Sequence, residues 1–246
     1  MIYTFLAEAP RFYSYYNLVF LGQAALNTLM VSFLGCLIGY AAGFVLALLR
    51  QGRLVPWGIP RGASWCWTEL FRRIPFLVLL MCVFFGFQLS GAEASLAVVA
   101  VTAVALRMSA LAAENIRAGL ESVPGRQWEA ALTMNISPLA TLFRIVLPQA
   151  WKVILPPSTI HTVSMIKETA LVSQIGFLEL TFAARMLTQR GFSAFICYGT
   201  ILVVYFLISW GFSSLGRLAE RRLVHQARAG RTPAPLSAAA LRGATT

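Results

Sequence analysis

Charged side chains are scarce in this chain: they make up 12% of its 246 residues, where soluble domains carry about 25%. With 58% of the residues hydrophobic, one water-soluble core could not hold that much apolar surface, so lipid is the expected solvent for most of it. Histidine occurs only as His161 and His225, and Cys36, Cys66, Cys82 and Cys197 are scattered without ligand or redox spacing. Neither a metal centre nor a redox pair is expected. The only lysines, Lys152 and Lys167, lie in no glycine-rich setting, and the phosphate-binding pattern G-x-x-x-x-G-K-S/T does not occur. Any ATP chemistry must therefore take place on another polypeptide. Zinc spacing, G-x-S-x-G and a carboxylate pair with a matching nucleophile are missing as well, which argues against an enzyme. No internal repeat is found, which weakens an inverted-repeat secondary carrier.

What is abundant is basic charge in few places. Lys plus Arg total 20 against 9 acidic residues, a net charge of +11, a balance that by itself would suit nucleic acid or an anionic surface. The basic residues gather in short connections between apolar runs, the pattern of a chain oriented in a membrane. Apolar runs set out spans at about 21–49, 67–88, 94–116, 151–168 and 192–216, against the ~20 residues that cross a hydrocarbon core. The fourth is weak, because its apolar centre at 153–166 holds Pro156, Pro157 and His161. Topology nevertheless requires it. The connection at 119–148 and its flanks carry Arg117, Arg126, Arg144 and Lys152, while the C-terminal stretch carries Arg217, Arg221, Arg222, Arg228, Arg231 and Arg242. If both are cytoplasmic, an even number of crossings separates them. The expected fold is an all-α membrane protein of five transmembrane helices with its N terminus outside and its C terminus inside. Residues 1–223 would form the transmembrane domain, with 1–20 an interfacial lead-in too broken by polar and aromatic residues for a cleaved signal peptide. Residues 224–246 are expected to be a disordered cytoplasmic tail.

Within the spans, Gly35, Gly39, Gly43 and Ala47 recur at every fourth position, a face on which another helix can approach closely. Arg107 lies inside the third span, and Glu114 and Arg117 share a helical face just after it. Glu114 either pairs with Arg117 or Arg107, or takes a place in a translocation path. Lys167, Glu168 and Thr169 lie at the outer end of the fourth span, where a gate or a simple interfacial charge pair would fit.

The connection 121–148, ESVPGRQWEAALTMNISPLATLFRIVLP, is too polar for lipid and too short for its own core. Pro124 suits a first helical turn, Ser137 followed by Pro138 marks a second start, and Asn135 between them can break the first helix. Two short helices with a bend, closed by Pro148, are expected. Trp128, Ala131 and Leu132, with Phe143 and Ile145 further on, would offer one side to a cytoplasmic partner; lying flat on the membrane is the alternative.

These blocks resemble the membrane permease subunits of bacterial ATP-binding-cassette importers for polar amino acids, the histidine, arginine, glutamine and opine systems. The matching residues are EAALTMN at 129–135, IVLPQA at 145–150, AENIRAGLESVPGRQWEAA upstream, ELFRRIPFLVLL at 69–80 and IKETALVSQIGFLEL at 166–180. The resemblance covers about residues 22–218. It implies an ABC importer type I permease fold in which 129–134 is a coupling helix seated on the ATPase, with Gln127, Trp128, Glu129, Ala130, Ala131, Asn135, Leu147 and Pro148 as coupling residues. It also implies a pair of like or unlike permease subunits, an ATPase dimer holding ATP and magnesium, an extracytoplasmic solute-binding protein, and no cofactor on this chain. The solute would be a polar, in particular basic, amino acid or a related opine, and the location the bacterial inner membrane. The sequence departs from the family pattern at Asn135, where glycine is usual, at Arg73 and Ile74 in the R-G-T-P block, at Arg126 before Gln127, and at Ala170 after Thr169. An ion-coupled carrier with Arg107, Glu114 and Lys167 as relay residues is the alternative function.

Overall fold

A computed structural model describes residues 8–229, with side chains through residue 222; every regular element among them is helical. Helix α1 is Tyr15–Leu49, α2 Gly58–Arg73, α3 Phe76–Leu89, α4 Leu96–Glu121 and α5 Gly125–Thr133. Then follow α6 (Pro138–Thr141), a π-helical segment (Leu142–Val146), α7 (Leu147–Glu168), a 3-10 segment (Thr169–Ile175), α8 (Leu180–Gln189) and α9 (Ala194–Ala229). At ~1.5 Å per residue, α1 is about 52 Å long. It exceeds a ~30 Å hydrocarbon core, so it tilts or projects.

The centre of the fold is the seam between α1 and α4. A Cβ on Gly35 would meet Val104 at 2.4 Å, one on Gly39 would meet Met108 at 2.4 Å, and one on Gly43 would meet Ala112 at 2.6 Å and the Ser109 carbonyl at 2.7 Å. The partners advance four residues for every four along α1, so the two helices run parallel. Their backbones approach closely because the glycine stripe leaves no side chain between them. The lead-in also folds inward: residues 8–12 are helical, and Phe12 is fully buried against Phe192 at 5.3 Å between ring centroids. Residues 1–7 of that expected lead-in lie outside the described residues.

Four features depart from the sequence expectation. The second span is broken, because α2 and α3 meet at 111°. Proline has no N–H and drives the residue before it into extended backbone, and Ile74 before Pro75 has φ −74° and ψ 133°. Pro148 does not close the connection either. The chain passes from α6 through the π segment into α7 as one 138–175 path, and Pro148 sits in the first turn of α7, where a missing N–H is tolerated. In the connection after the fourth span, α8 is a helix that the apolar pattern did not suggest. Finally, α9 stays helical through Ala229, six residues into the expected disordered tail, while 230–246 lie outside the described residues.

Counting the bent pair once, up to five helical passes are long and apolar enough to cross a membrane. Pro156 and Pro157 lie inside α7, and side chains of neighbouring helices bond its backbone on either side of them. Asn115 Nδ2 donates to the Ile154 carbonyl at 3.0 Å, and the Tyr40 hydroxyl donates to the Ser158 carbonyl at 2.7 Å.

Candidate functional site

The α5 connection is built from local signals. Pro124 is the residue before the first turn of α5, one place earlier than expected, with extended backbone at φ −55° and ψ 137°. At the other end, Asn135 has φ 56°, the one positive φ outside glycine among the described residues. The Asn135 N–H bonds to the Leu132 carbonyl at 2.9 Å and the Ile136 N–H to the Ala131 carbonyl at 3.0 Å. That pair of bonds is the Schellman C-cap, in which glycine is the usual left-handed residue and asparagine the tolerated substitute. Ser137 then caps α6 by accepting from the Ala140 N–H at 3.3 Å, with Pro138 in the first turn.

This geometry divides the expected coupling residues into two sets. Glu129, Ala130, Leu132, Met134, Asn135, Phe143 and Pro148 are exposed, Leu132 at 72%. Ala131, by contrast, is fully buried, Gln127 and Leu147 are half-buried, and Trp128 packs on the core around Ile116, Leu142 and Val146. The outward side is therefore Glu129, Ala130 and Leu132, and the expectation that Ala131 faces a partner is corrected: a helix of 3.6 residues per turn turns it toward the chain's own core. Arg53 lies over the Trp128 ring at 5.4 Å and ties α5 to the α1–α2 connection. A cleft of about 320 Å³ opens beside Trp128, Glu129 and Leu132.

Above α5, a charge network joins the ends of three helices. Glu114 accepts from Arg50 Nη1 at 2.9 Å and from Arg117 Nη2 at 2.6 Å, with Arg72 at 4.0 Å. Arg117 also pairs with Glu121, and Glu69 binds Arg72 at 2.8 Å and Arg73 at 2.6 Å. Of the alternatives for Glu114, the structure contains the Arg117 pair and not the Arg107 pair. Arg107 instead donates through Nη1 to the carbonyls of Phe71, Arg72 and Ile74 at 2.9, 2.7 and 3.2 Å. It supplies the hydrogen bonds that the break at Pro75 removes.

A family model described as "binding-protein-dependent transport system inner membrane component" matches residues 39–225. The chain belongs to this family. It is a multi-pass inner-membrane transport component and not an enzyme. The L-cystine transport system permease protein TcyB of Bacillus subtilis is 32% identical over 80% of this chain and 83% of its own length. The probable glutamine ABC transporter permease protein GlnP of the same organism is 31% identical over 86% of this chain and 95% of its own length. Among solved structures, an amino acid ABC transporter with histidines aligns with a TM-score of 0.77 and 30% identity over 89% of this chain and 98% of that one. The MetNI methionine ABC transporter, in inward-facing conformations, shares the fold with a TM-score of 0.74 at 20% identity, over 85% of this chain and 99% of that one.

In this permease the remaining expected residues separate. Lys167 is exposed and makes no ion pair with Glu168 among the described residues. Thr169 is fully buried and donates to the Ile166 carbonyl at 2.6 Å, so it has no donor to spare. Glu168 is different: its Oε2 is buried and accepts no hydrogen bond, and Arg107 Nε is likewise buried without a partner. Arg107 acts electrostatically on both Glu168 and His161. Sequence reasoning singled out Arg107 as a charge inside a span and Glu168 as a gate or charge-pair residue but did not place them together. Only packing of α4 against α7 does that.

Proposed function

We propose that this chain is the permease subunit of an ATP-driven amino-acid importer, working as a pair of permeases with a separate ATPase dimer and an extracytoplasmic binding protein. The observation that carries this reading is α5: a short helix, locked to the core by Ala131 and Trp128, that leaves Glu129, Ala130 and Leu132 uncovered at the basic end of the fold. Such an element is rigid enough to pass on a push and apolar enough outside to need a partner. The basic end is cytoplasmic on the charge rule, which puts the N terminus outside and α8 on the outer face. ATP binding then favours one facing of the spans over the other, and no covalent chemistry is asked of this chain.

The solute path runs past Glu168 and Arg107, whose open carboxylate oxygen and open guanidinium nitrogen suit the ammonium and carboxylate ends of an amino acid. Relatives named for cystine, glutamine and arginine support that class. Within it, basic amino acids and opines are the solutes most compatible with Glu168. Reconstitution with the co-purified ATPase and a panel of labelled amino acids and opines tests the reading. ATP-dependent uptake of at least one is expected, with Leu132→Asp abolishing uptake and lowering ATPase retention. Uptake that persists without the ATPase would overturn it in favour of an ion-coupled carrier, as would labelling of Trp128 from outside the cell.

A further inference from the structure

A groove of about 730 Å³ lies between α1, α7 and α9, away from both α5 and Arg107. Phe44, Trp151 and Phe212 give it an apolar wall, and the polar groups along it are already engaged. The Tyr40 hydroxyl donates to the Ser158 carbonyl at 2.7 Å and meets Thr162 Oγ1 at 3.0 Å. Ser158 Oγ accepts from Asn115 at 2.8 Å, and Thr159 Oγ1 donates to the Leu155 carbonyl at 3.2 Å. A polar solute entering this groove would lose its water and find no replacement. It is therefore no branch of the solute path.

Its length and its rim identify what fits. From Trp151 to Val163 along α7 the groove spans about 18 Å, close to the ~15 Å that one leaflet contributes to a hydrocarbon core. It ends where charge returns to the sequence. Lys152 follows Trp151 at that end; Arg217 follows Gly216, which packs on Thr159 about 10 Å further along α7, within reach of the end only through its long side chain, and both residues are exposed. Arg217 donates to Ser214 Oγ at 2.7 Å, and neither basic group forms an ion pair among the described residues. A second copy of this chain placed on the groove by a two-fold axis would bring its own Lys152 and Arg217 to the same rim. Like charges would accumulate there, whereas an anionic headgroup neutralises them.

We infer that the groove binds one anionic phospholipid, with an acyl chain between α1, α7 and α9 and the phosphate on Lys152 and Arg217. The chain needs only apolar walls, and the headgroup meets Lys152 at the end of the groove and Arg217 through its extended aliphatic stem. The lipid would fill a concavity that helix packing leaves open, and so brace α9 against α1.

The purified intact transporter, delipidated in mild detergent, is the material for the test. Native mass spectrometry with phosphatidylglycerol or phosphatidylethanolamine of identical chains should show phosphatidylglycerol retained in preference. Ala41→Trp, on the groove wall, should abolish retention of both, and Lys152→Gln with Arg217→Gln should lower the phosphatidylglycerol preference about thirtyfold. In wild type, phosphatidylglycerol carrying a photoreactive chain should label peptides 40–44 and 151–163 above all others, a readout that needs no variant to fold. Labelling spread evenly over the lipid-facing helices, equal retention of the two lipids, or cross-linking of Ala41→Cys between two copies would overturn the assignment.

Discussion

The seam of α1 and the turn after α5 both sit where glycine would be expected, and they require it for different reasons. At Gly43 the constraint is space: a Cβ would lie 2.6 Å from the Ala112 Cβ and 2.9 Å from the Ala113 nitrogen. At Asn135 the constraint is a dihedral angle, φ 56°, with the side chain exposed. Asparagine satisfies the second demand and could not satisfy the first. A glycine-like position is therefore substitutable when its cause is local backbone geometry, and not when another helix's backbone occupies the volume.

The largest effect should come from breaking the seam. Gly43→Val is expected to cost about 3 kcal/mol or more through overpacking and to lower the detergent melting temperature sharply. Gly22→Ala, where nothing lies within 4 Å, should leave that temperature nearly unchanged; equal losses at both positions would show that the seam is not special. Next, Glu114→Gln removes the carboxylate that clamps Arg50 and Arg117 at the end of the seam, and should cost about 2 kcal/mol in the same melt. Repeating the measurement at high salt should narrow the gap between wild type and variant, since the network is only half-buried.

A smaller and more local effect is expected at the turn. Asn135→Val should cost about 1 kcal/mol from left-handed backbone and reduce the coupling of ATP hydrolysis to uptake, whereas Asn135→Gly should retain both stability and coupling. Tolerance of valine would remove the conformational account. The smallest effect lies at the other end of α1, where the Leu180 N–H donates to Thr28 Oγ1 at 3.3 Å beside the buried Glu179. Burial raises the Glu179 carboxyl above its ordinary 4.5, against hydrogen bonds that partly lower it. Above pH 4.5 the unfolded chain loses this proton before the native state does, so stability should fall as pH rises toward the native value and level off beyond it. Glu179→Gln should flatten that slope in a pH series of thermal melts.

The legible parts of this chain were those set by local chemistry. Ser137 with Pro138, the left-handed Asn135, the glycine stripe and the apolar lengths of the first, third and fifth spans each follow from a residue's own backbone preference or from a period of 3.6. The break at Pro75 was half visible: proline marked the place, but a 111° turn inside an apolar run needs Arg107 from another helix to bond the freed carbonyls. Pro148 misled for the opposite reason, since a proline in a first turn permits the helix that the same proline in an interior would end. Ala131 misled because a short helix has two sides, and the sequence does not say which of them meets the core.

The sequence by itself determined that the chain lives in lipid, where about half of its long helices' ends fall, and which residues carry charge that lipid will not tolerate. Hydration, backbone dihedrals and helical period are properties of neighbouring residues, and for that reason they can be read along the chain. Which charges meet was decided only by tertiary structure. Glu114 found Arg50 across 64 residues, and Arg107 found the carbonyls of Phe71 and Arg72 instead of an acid. Pairings of that kind depend on the rotation and depth at which whole helices pack, and a glycine seam fixes both at once.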